Sequence, residues 1–409
     1  MKNQRSVLHV IVSMNPEAGG LPQAVNLMIA GLSKIGVFSE IVSLDQKSDP
    51  FIRSMPHTIH AVGPRSGPWG YSKYLRPFLR DNLSRFDAVI LHGLWQYTGF
   101  ALYKAMEEYS RNKSSEQKWA KPKFLVMPHG MLDPYFQKAK DRKIKAIRNW
   151  LFWKLIEKSI VKAADEILFT CKEEQLLAQH TFTPYNPARE TVVGLGILPP
   201  PNNTVDIGQA FYNKCPAVKN YEYIFFLSRI NIKKGVDILL KAYKNLYLSY
   251  NQENLSNVGT IIPKLVIAGP GWTSNYGKEL QRLVNNDIDL KGNVFLVDML
   301  HGEEKWGGIY NCEAFILPSH QENYGIAVVE ALSCSKPVLI SNKINIWREI
   351  QETGGGLVAD DTIIGTQSNL ERWIKMPKAM KMQMSQNAGV TFREYFSLEQ
   401  ATESLVKSL

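Results

Sequence analysis

The feature that most restricts what this chain can become is a rhythm. Short runs rich in Val, Ile, Leu and Phe, such as VLHVIVS and DAVILHG, alternate with longer amphipathic stretches from end to end. Such a run has no polar face, so both of its sides must be covered. Helices that join parallel strands do this, and the pattern predicts an α/β protein built on parallel sheets. In the first half the predicted strands are VLHVIVS, SEIVSL, DAVILHG, KFLVMPH and EILFT; the Gly-rich turn MNPEAGGLPQ follows the first, then AVNLMIAGLSKIG with helical apolar spacing. The rhythm stops at LPPPNNTVD, near residue 199, which reads as a linker. It restarts with YIFFLSR, a helix from Gly235 to Leu246, KLVIAGPG, NVFLVD, EAFILPS, KPVLIS and GGGLVAD. At 409 residues the expectation is two domains of ordinary size.

Composition narrows the class. Hydrophobic residues make up 44% of the chain and charged residues 21%, the balance of a soluble globular protein. The net charge of +10 lies wholly in residues 1–200, where 27 Lys/Arg face 17 Asp/Glu (27 − 17 = 10), while residues 201–409 hold 21 of each. A basic half admits nucleic acid, an anionic membrane surface or a phosphorylated substrate, as well as a solvated face without a partner. No reader motif accompanies the charge, so nucleic acid is not expected. The segment KAKDRKIKAIRNWLFWKLIEKSIVKAAD carries cations at 138, 140, 142, 143, 145, 148 and 154 beside Trp150, Phe152 and Trp153. Its basic turns suit anionic headgroups and its aromatics suit either anchoring or core packing, and both readings stay open. Cys171, Cys215, Cys312 and Cys334 are far apart, which favours neither zinc nor a disulfide framework and fits a reducing cytoplasm. Val7 to Met14 is too short for a signal core, and no run of about 18 apolar residues occurs. The expected location is the cytoplasm, with a peripheral position on the inner face of the plasma membrane as the variant.

In open α/β sheets, ligands sit beyond the carboxyl ends of strands. Arg229 follows YIFFLS directly and Lys234 comes five residues later, before the next helix. Arg binds two phosphate oxygens at once and Lys acts as a movable charge, so the pair fits a phosphate clamp; an ordinary surface pair fits as well. After EAFILPS the chain turns at HQEN, and the next helix is expected to start near Tyr324 and Gly325, with its positive end at the crevice. Glu330 falls inside that helix among apolar neighbours, where a carboxylate must find donors such as ribose hydroxyls. Glu322 stays in the loop, placed for a second sugar. The competing assignment has Glu322 capping the helix and Glu330 paired with a backbone group or a cation.

The array SRINIKKGVDILLKA, LVIAGPG and NVFLVDMLHGEEKWGGIYNCEAFILPSHQENYGIAVVEALSCSKPVLIS, with its E-x7-E spacing from Glu322 to Glu330, closely resembles the C-terminal half of retaining family 4 glycosyltransferases. That resemblance implies the GT-B fold, two Rossmann-like α/β/α domains facing a cleft. Residues 1–198 would bind the acceptor, 199–390 the nucleotide sugar, and 391–409 would form a helix returning to the first domain. It implies that Arg229 and Lys234 hold the donor diphosphate, that Glu330 binds ribose and that Glu322 contacts the transferred sugar. Asn323, Tyr324, Gly325 and Ile326 would complete the cradle, and the turn Val297 to Leu300, with Met299 and Leu300, would receive the base. In the first half, Gly19 and Gly20 match the loop that approaches the donor phosphates, and His129 matches a histidine near the donor sugar; His92 has a weaker claim. Cys171, where serine is commoner, and the absence of a glycine before Arg229 depart from the pattern without removing a needed charge.

The implied activity is retaining transfer of a hexose from a UDP- or GDP-linked donor to a hydroxyl of a glycan or lipid-linked acceptor, in polysaccharide or lipid-linked oligosaccharide synthesis. No cofactor and no metal enter this scheme, because Arg229, Lys234 and helix amides neutralise the leaving diphosphate. His129, Glu322, Arg229 and Lys234 are the expected catalytic set; front-face attack is preferred, with double displacement through Glu322 as the rival route. A nucleotide-sugar epimerase and a non-catalytic binding protein on the same fold are the alternatives.

Overall fold

A computed structural model describes residues 5–111, 121–138, 143–252 and 261–409. The chain divides into two units, Met1–Gly196 with Leu398–Leu409, and Ile197–Ser397.

The first unit is a seven-stranded sheet of β1 (Ser6–Val10), β2 (Phe38–Ser43), β3 (Ile59–Ala61), β4 (Ala88–His92), β5 (Lys123–Met127), β6 (Glu166–Phe169) and β7 (Glu190–Val192), in the order β3-β2-β1-β4-β5-β6-β7. All its strand pairings are parallel. Successive strand side chains point to opposite faces, and both faces are covered. Val7, Ile90, Leu125 and Leu168 join Met28, Leu32 and Leu405 on one side, whereas Leu8, Val89, Phe124 and Ile167 join Leu102, Trp153 and Ile160 on the other. This double covering explains why the runs are apolar throughout. The helix Leu398–Ser408 lies against the helix Gly20–Lys34, and a Cβ on Gly31 would come within 2.1 Å of Thr402 Oγ1.

The second unit is a six-stranded parallel sheet of β8 (Tyr223–Leu227), β9 (Lys264–Ala268), β10 (Val294–Val297), β11 (Ala314–Leu317), β12 (Val338–Ser341) and β13 (Gly356–Ala359), ordered β10-β9-β8-β11-β12-β13. Each unit therefore has one point where strand order reverses, between β1 and β4 in the first and between β8 and β11 in the second. Crevices open at such points, beyond the strands' carboxyl ends.

The predicted strands are all present, and the three-residue edge strands β3 and β7 are additions too short to show as apolar runs. The helix expected from Gly235 to Leu246 runs Val236–Gln252, because Gly235, at φ 69°, ends the preceding 3-10 turn instead of starting the helix. The basic segment is the helix Lys143–Phe152, continued by a π-turn at Trp153–Glu157 and the helix Lys158–Ala163. Lys140 and Arg142 lie outside the described residues. Trp153 is fully buried and stacks on Phe182 at 4.8 Å, so this aromatic is core, whereas Ile144, Ile147, Leu151 and Leu155 form an exposed stripe.

Candidate functional site

In the second unit, two loops are held together by backbone contacts that only glycine permits. A Cβ on Gly269, which has φ 149°, would sit 1.8 Å from the Ser228 carbonyl oxygen, and one on Gly235 would sit 2.2 Å from that of Pro318. The Ile230 N–H donates to Pro270 O at 2.8 Å, fixing the segment that carries Arg229. The Lys233 carbonyl accepts from His320 N at 2.8 Å and Ser319 Oγ at 2.9 Å, tying the turn Ile232–Lys234 to the loop after β11. That loop is clamped in turn by Glu322 N to Lys343 O and Asn345 N to Glu322 O.

These contacts bring Lys234 and Glu322, 88 residues apart, into a direct ion pair. Burial pushes the Lys234 ammonium down to about 7, and Lys233 and Arg229 add in the same sense. The Glu322 carboxylate opposes this by favouring the charged form. Arg229 is exposed and makes no ion pair among the described residues. The helix Ile326–Ser333 begins after Gly325, which at φ 72° turns the chain in; this is two residues later than Tyr324, whose ring packs edge-on to Phe396 at 5.7 Å. Asn323 Oδ1 accepts from Asn345 Nδ2 at 3.3 Å. Inside the helix, Glu330 is paired with Lys305 Nζ at 2.7 Å, a cation that stands 4.3 Å over the Trp306 ring. Sequence reasoning missed Lys305, because a lysine on a neighbouring amphipathic helix carries no signal of what it faces. Arg229, Lys233, Lys234 and Lys305 outnumber Glu322 and Glu330 here, and Arg229 is the exposed cation of the group. Together with the helix N-terminus this suits an anion that can exchange for Glu322 at Lys234.

After β10, the Val297 carbonyl accepts from Gly269 N at 3.1 Å and Trp272 Nε1 at 2.9 Å, while Met299 is half-exposed and Leu300 is buried. The expectation that the sequence holds no Asp-x-Asp triplet is incorrect: Asp287-Ile288-Asp289 is one, of the kind that can hold a divalent cation. Asp287 is paired with Lys244 at 2.5 Å and accepts from Asp289 N and Leu290 N. The triplet precedes β10, at the sheet edge opposite Arg229.

In the first unit, Gly19 (φ 106°, ψ −154°) ends the turn Pro16–Ala18 and Gly20 opens the helix. A Cβ on either would meet no atom within 4 Å among the described residues beyond its chain neighbours. Ser13 Oγ and Met14 N donate to buried Asp45 at 2.6 and 2.8 Å, which sets this loop. At the switch point a cavity of about 490 Å³ is lined by Ser13, Arg65, His92, Leu94, Gln96 and Met131, among others. His129 lies just after β5 in the left-handed region at φ 52°, and the Glu174 carboxylate holds the next N–H, that of Gly130, at 2.5 Å. Its Nε2 is 3.0 Å from His92 Nδ1, and His92 Nε2 is 2.9 Å from His9 Nδ1. Both nitrogens of His92 are thus engaged, so it offers the cavity only its ring and C–H edges.

Solved structures match over the whole chain. A glycosyltransferase from Rickettsia africae is 15% identical with a TM-score of 0.72, covering 99% of this chain and 98% of that one. Anabaena HepE, solved in complex with UDP and glucose, is 13% identical with a TM-score of 0.69, covering 99% of each chain. The chain has the GT-B fold. Within it, residues 210–389 match the family model described as glycosyl transferases group 1, so the matched part of this GT-B chain contains Arg229, Lys234, Glu322 and Glu330. Two uncharacterized glycosyltransferases of Methanocaldococcus jannaschii are 23% and 24% identical over 134 and 145 residues, about a third of this chain. The matches span only 30% and 34% of those relatives' own lengths.

Proposed function

We propose that the protein is a retaining glycosyltransferase that moves a hexose from a nucleoside diphosphate sugar to a hydroxyl of a glycan or lipid-linked acceptor. The observation that carries this reading is the convergence of Arg229, Lys234, Glu322, Lys305-paired Glu330 and a helix N-terminus on the ends of β8 and β11. In this reading Lys234 exchanges Glu322 for phosphate oxygens, which frees Glu322 for a hydroxyl of the transferred sugar. Arg229 takes the other phosphate, Glu330 takes the ribose, and Met299 and Leu300 border the base. The backbone from Asn323 to Ile326 completes the cradle. For Gly19 and Gly20 at the phosphates and His129 at the sugar, the support is the resemblance of their loops. Anabaena HepE has been solved with UDP and with UDP-glucose, and a Burkholderia xenovorans trehalose-phosphate synthase is described as UDP-forming, which favours uridine over guanosine.

The bond from the anomeric carbon to the leaving phosphate oxygen breaks, and the acceptor oxygen bonds to that carbon on the same face. The acceptor's proton passes to the departing phosphate oxygen. Cations and helix amides meet the charge on the diphosphate, so the scheme uses no metal. A thermal-shift screen of UDP-, GDP- and ADP-sugars tests it: a donor at a hundredfold its Kd stabilises the native state by about 2.7 kcal/mol. Lys234→Ala should erase that shift, and a shift that survives would remove the clamp.

A cytoplasmic protein acting on lipid-linked acceptors would rest on an anionic membrane, and the helix Lys143–Phe152 supports that contact. Ile144, Ile147, Leu151 and Leu155 are 85, 64, 46 and 76% exposed at spacings of three and four, flanked by Lys143, Arg148 and Lys154. Such a face inserts at the headgroup boundary. Sedimentation with phosphatidylglycerol vesicles should fall on Ile147→Glu and in high salt; binding equally to phosphatidylcholine would contradict it.

A further inference from the structure

Three histidines on adjacent strands make one hydrogen-bonded line. His9 belongs to β1, His92 ends β4 and His129 follows β5, and these strands are neighbours in the order β1-β4-β5. The contacts are His9 Nδ1 to His92 Nε2, 2.9 Å, and His92 Nδ1 to His129 Nε2, 3.0 Å. The rings of His9 and His92 also stack, with centroids 5.2 Å apart. His9 and His92 are buried, and the remaining nitrogen of His9, Nε2, is buried with no hydrogen-bond partner among the described residues. Burial pushes His9 and His129 down to about 3 and His92 well below its ordinary value, with His57 adding to the effect on His9. All three are therefore neutral near pH 7, each with one N–H and one lone pair.

Neutrality leaves two ways to place the hydrogens. In the outward arrangement His9 Nδ1–H donates to His92, whose Nδ1–H donates to His129 Nε2, so that His129 carries its own hydrogen on Nδ1. In the inward arrangement every donor reverses, His129 Nδ1 becomes a bare lone pair, and His9 must carry an N–H on its buried, partnerless Nε2. A buried N–H without an acceptor is the rarer and costlier defect. We propose that His9 is a positioning residue that, through His92, fixes the hydrogen of His129 on Nδ1, so that the loop after β5 presents an N–H donor and not a base. The ligand group it takes is an oxygen lone pair, as on a hydroxyl. The line also ends blindly at His9, so a proton taken up by His129 has no exit through it. This deepens the reading of the protein as a glycosyltransferase, since it leaves the acceptor's proton to the departing phosphate, but the hydrogen placement itself does not depend on that reading.

Long-range ¹H–¹⁵N spectra of the histidine-labelled full chain at pH 7 report which nitrogen of each ring is protonated, without substrate. The expected result is a single Nδ1–H form of His129. His9→Leu removes the directing donor and should turn His129 into a mixture or the Nε2–H form. His9→Asn, whose side-chain amide can donate from the position of Nδ1, should restore the wild-type pattern. An Nε2–H form of His129 in the wild type, or an unchanged pattern in folded His9→Leu, overturns the proposal; should His9→Leu fail to fold, the wild-type spectrum and His9→Asn decide. Loss of donor binding with this pattern intact would count against the transferase reading instead.

Discussion

At the scale of the residue, two buried ionisable groups are shifted in opposite directions, Lys234 down and Glu157 up, and each gives a property that declines as pH rises. Lys234 is held down to about 7, and in the proposed clamp the diphosphate would bind its charged form. Affinity for a nucleotide sugar, whose phosphates do not titrate near neutrality, should be level below pH 7 and fall above it by up to about tenfold per pH unit. Calorimetric titration with UDP-glucose from pH 6 to 9 checks this, and a level profile to pH 9 would contradict it. Glu157 is 1% exposed, accepts Trp95 N at 2.8 Å and is pushed up from 4.5 to about 8 by burial. Between those values the folded state holds a proton that the unfolded state releases. Its stabilising contribution is therefore full below pH 4.5 and is lost as pH rises through 8. Glu157→Gln, permanently neutral, should match wild type in urea melts at pH 5 and exceed it at pH 9 by a few kcal/mol. Arg229, Lys234, Glu322 and Glu330 could be picked out in the sequence because they directly follow strands or break an apolar run. Glu157, Lys305 and His9 could not, since each owes its significance to a partner far along the chain.

At the scale of the element, glycine separates shape from function. Gly269 lies at φ 149° with a Cβ position inside Ser228 O, so Gly269→Ala should destabilise the second unit by about 1–3 kcal/mol from backbone strain alone, more with the clash, read by chemical denaturation. Gly20 is helical and faces open space. Gly20→Ala should leave stability equal or raise it by up to about 1 kcal/mol, yet weaken turnover if the loop approaches phosphates. Undiminished turnover would reduce that glycine to a turn residue. Most strands were legible because a buried parallel strand is apolar on both faces. The edge strands β3 and β7 were not, because three residues against one neighbour need no such run.

At the scale of the whole molecule, the chain's last helix completes the core that its first strand begins. Leu405 is 2% exposed against Val7, Met28 and Leu32. Leu405→Ala should cost about 2–5 kcal/mol and lower the melting of the first unit while leaving that of the second in place, measured by calorimetry. The sequence by itself determined the α/β class, the order of nearly every strand along the chain and the strand ends at which charged side chains gather, because local period and turn chemistry act over a few residues. Tertiary structure alone decided that Lys234 faces Glu322, that Lys305 answers Glu330 and that three histidines align, because those contacts depend on strand order across the sheet. Strand order is set by which crossovers can pack, and no local stretch of sequence records it.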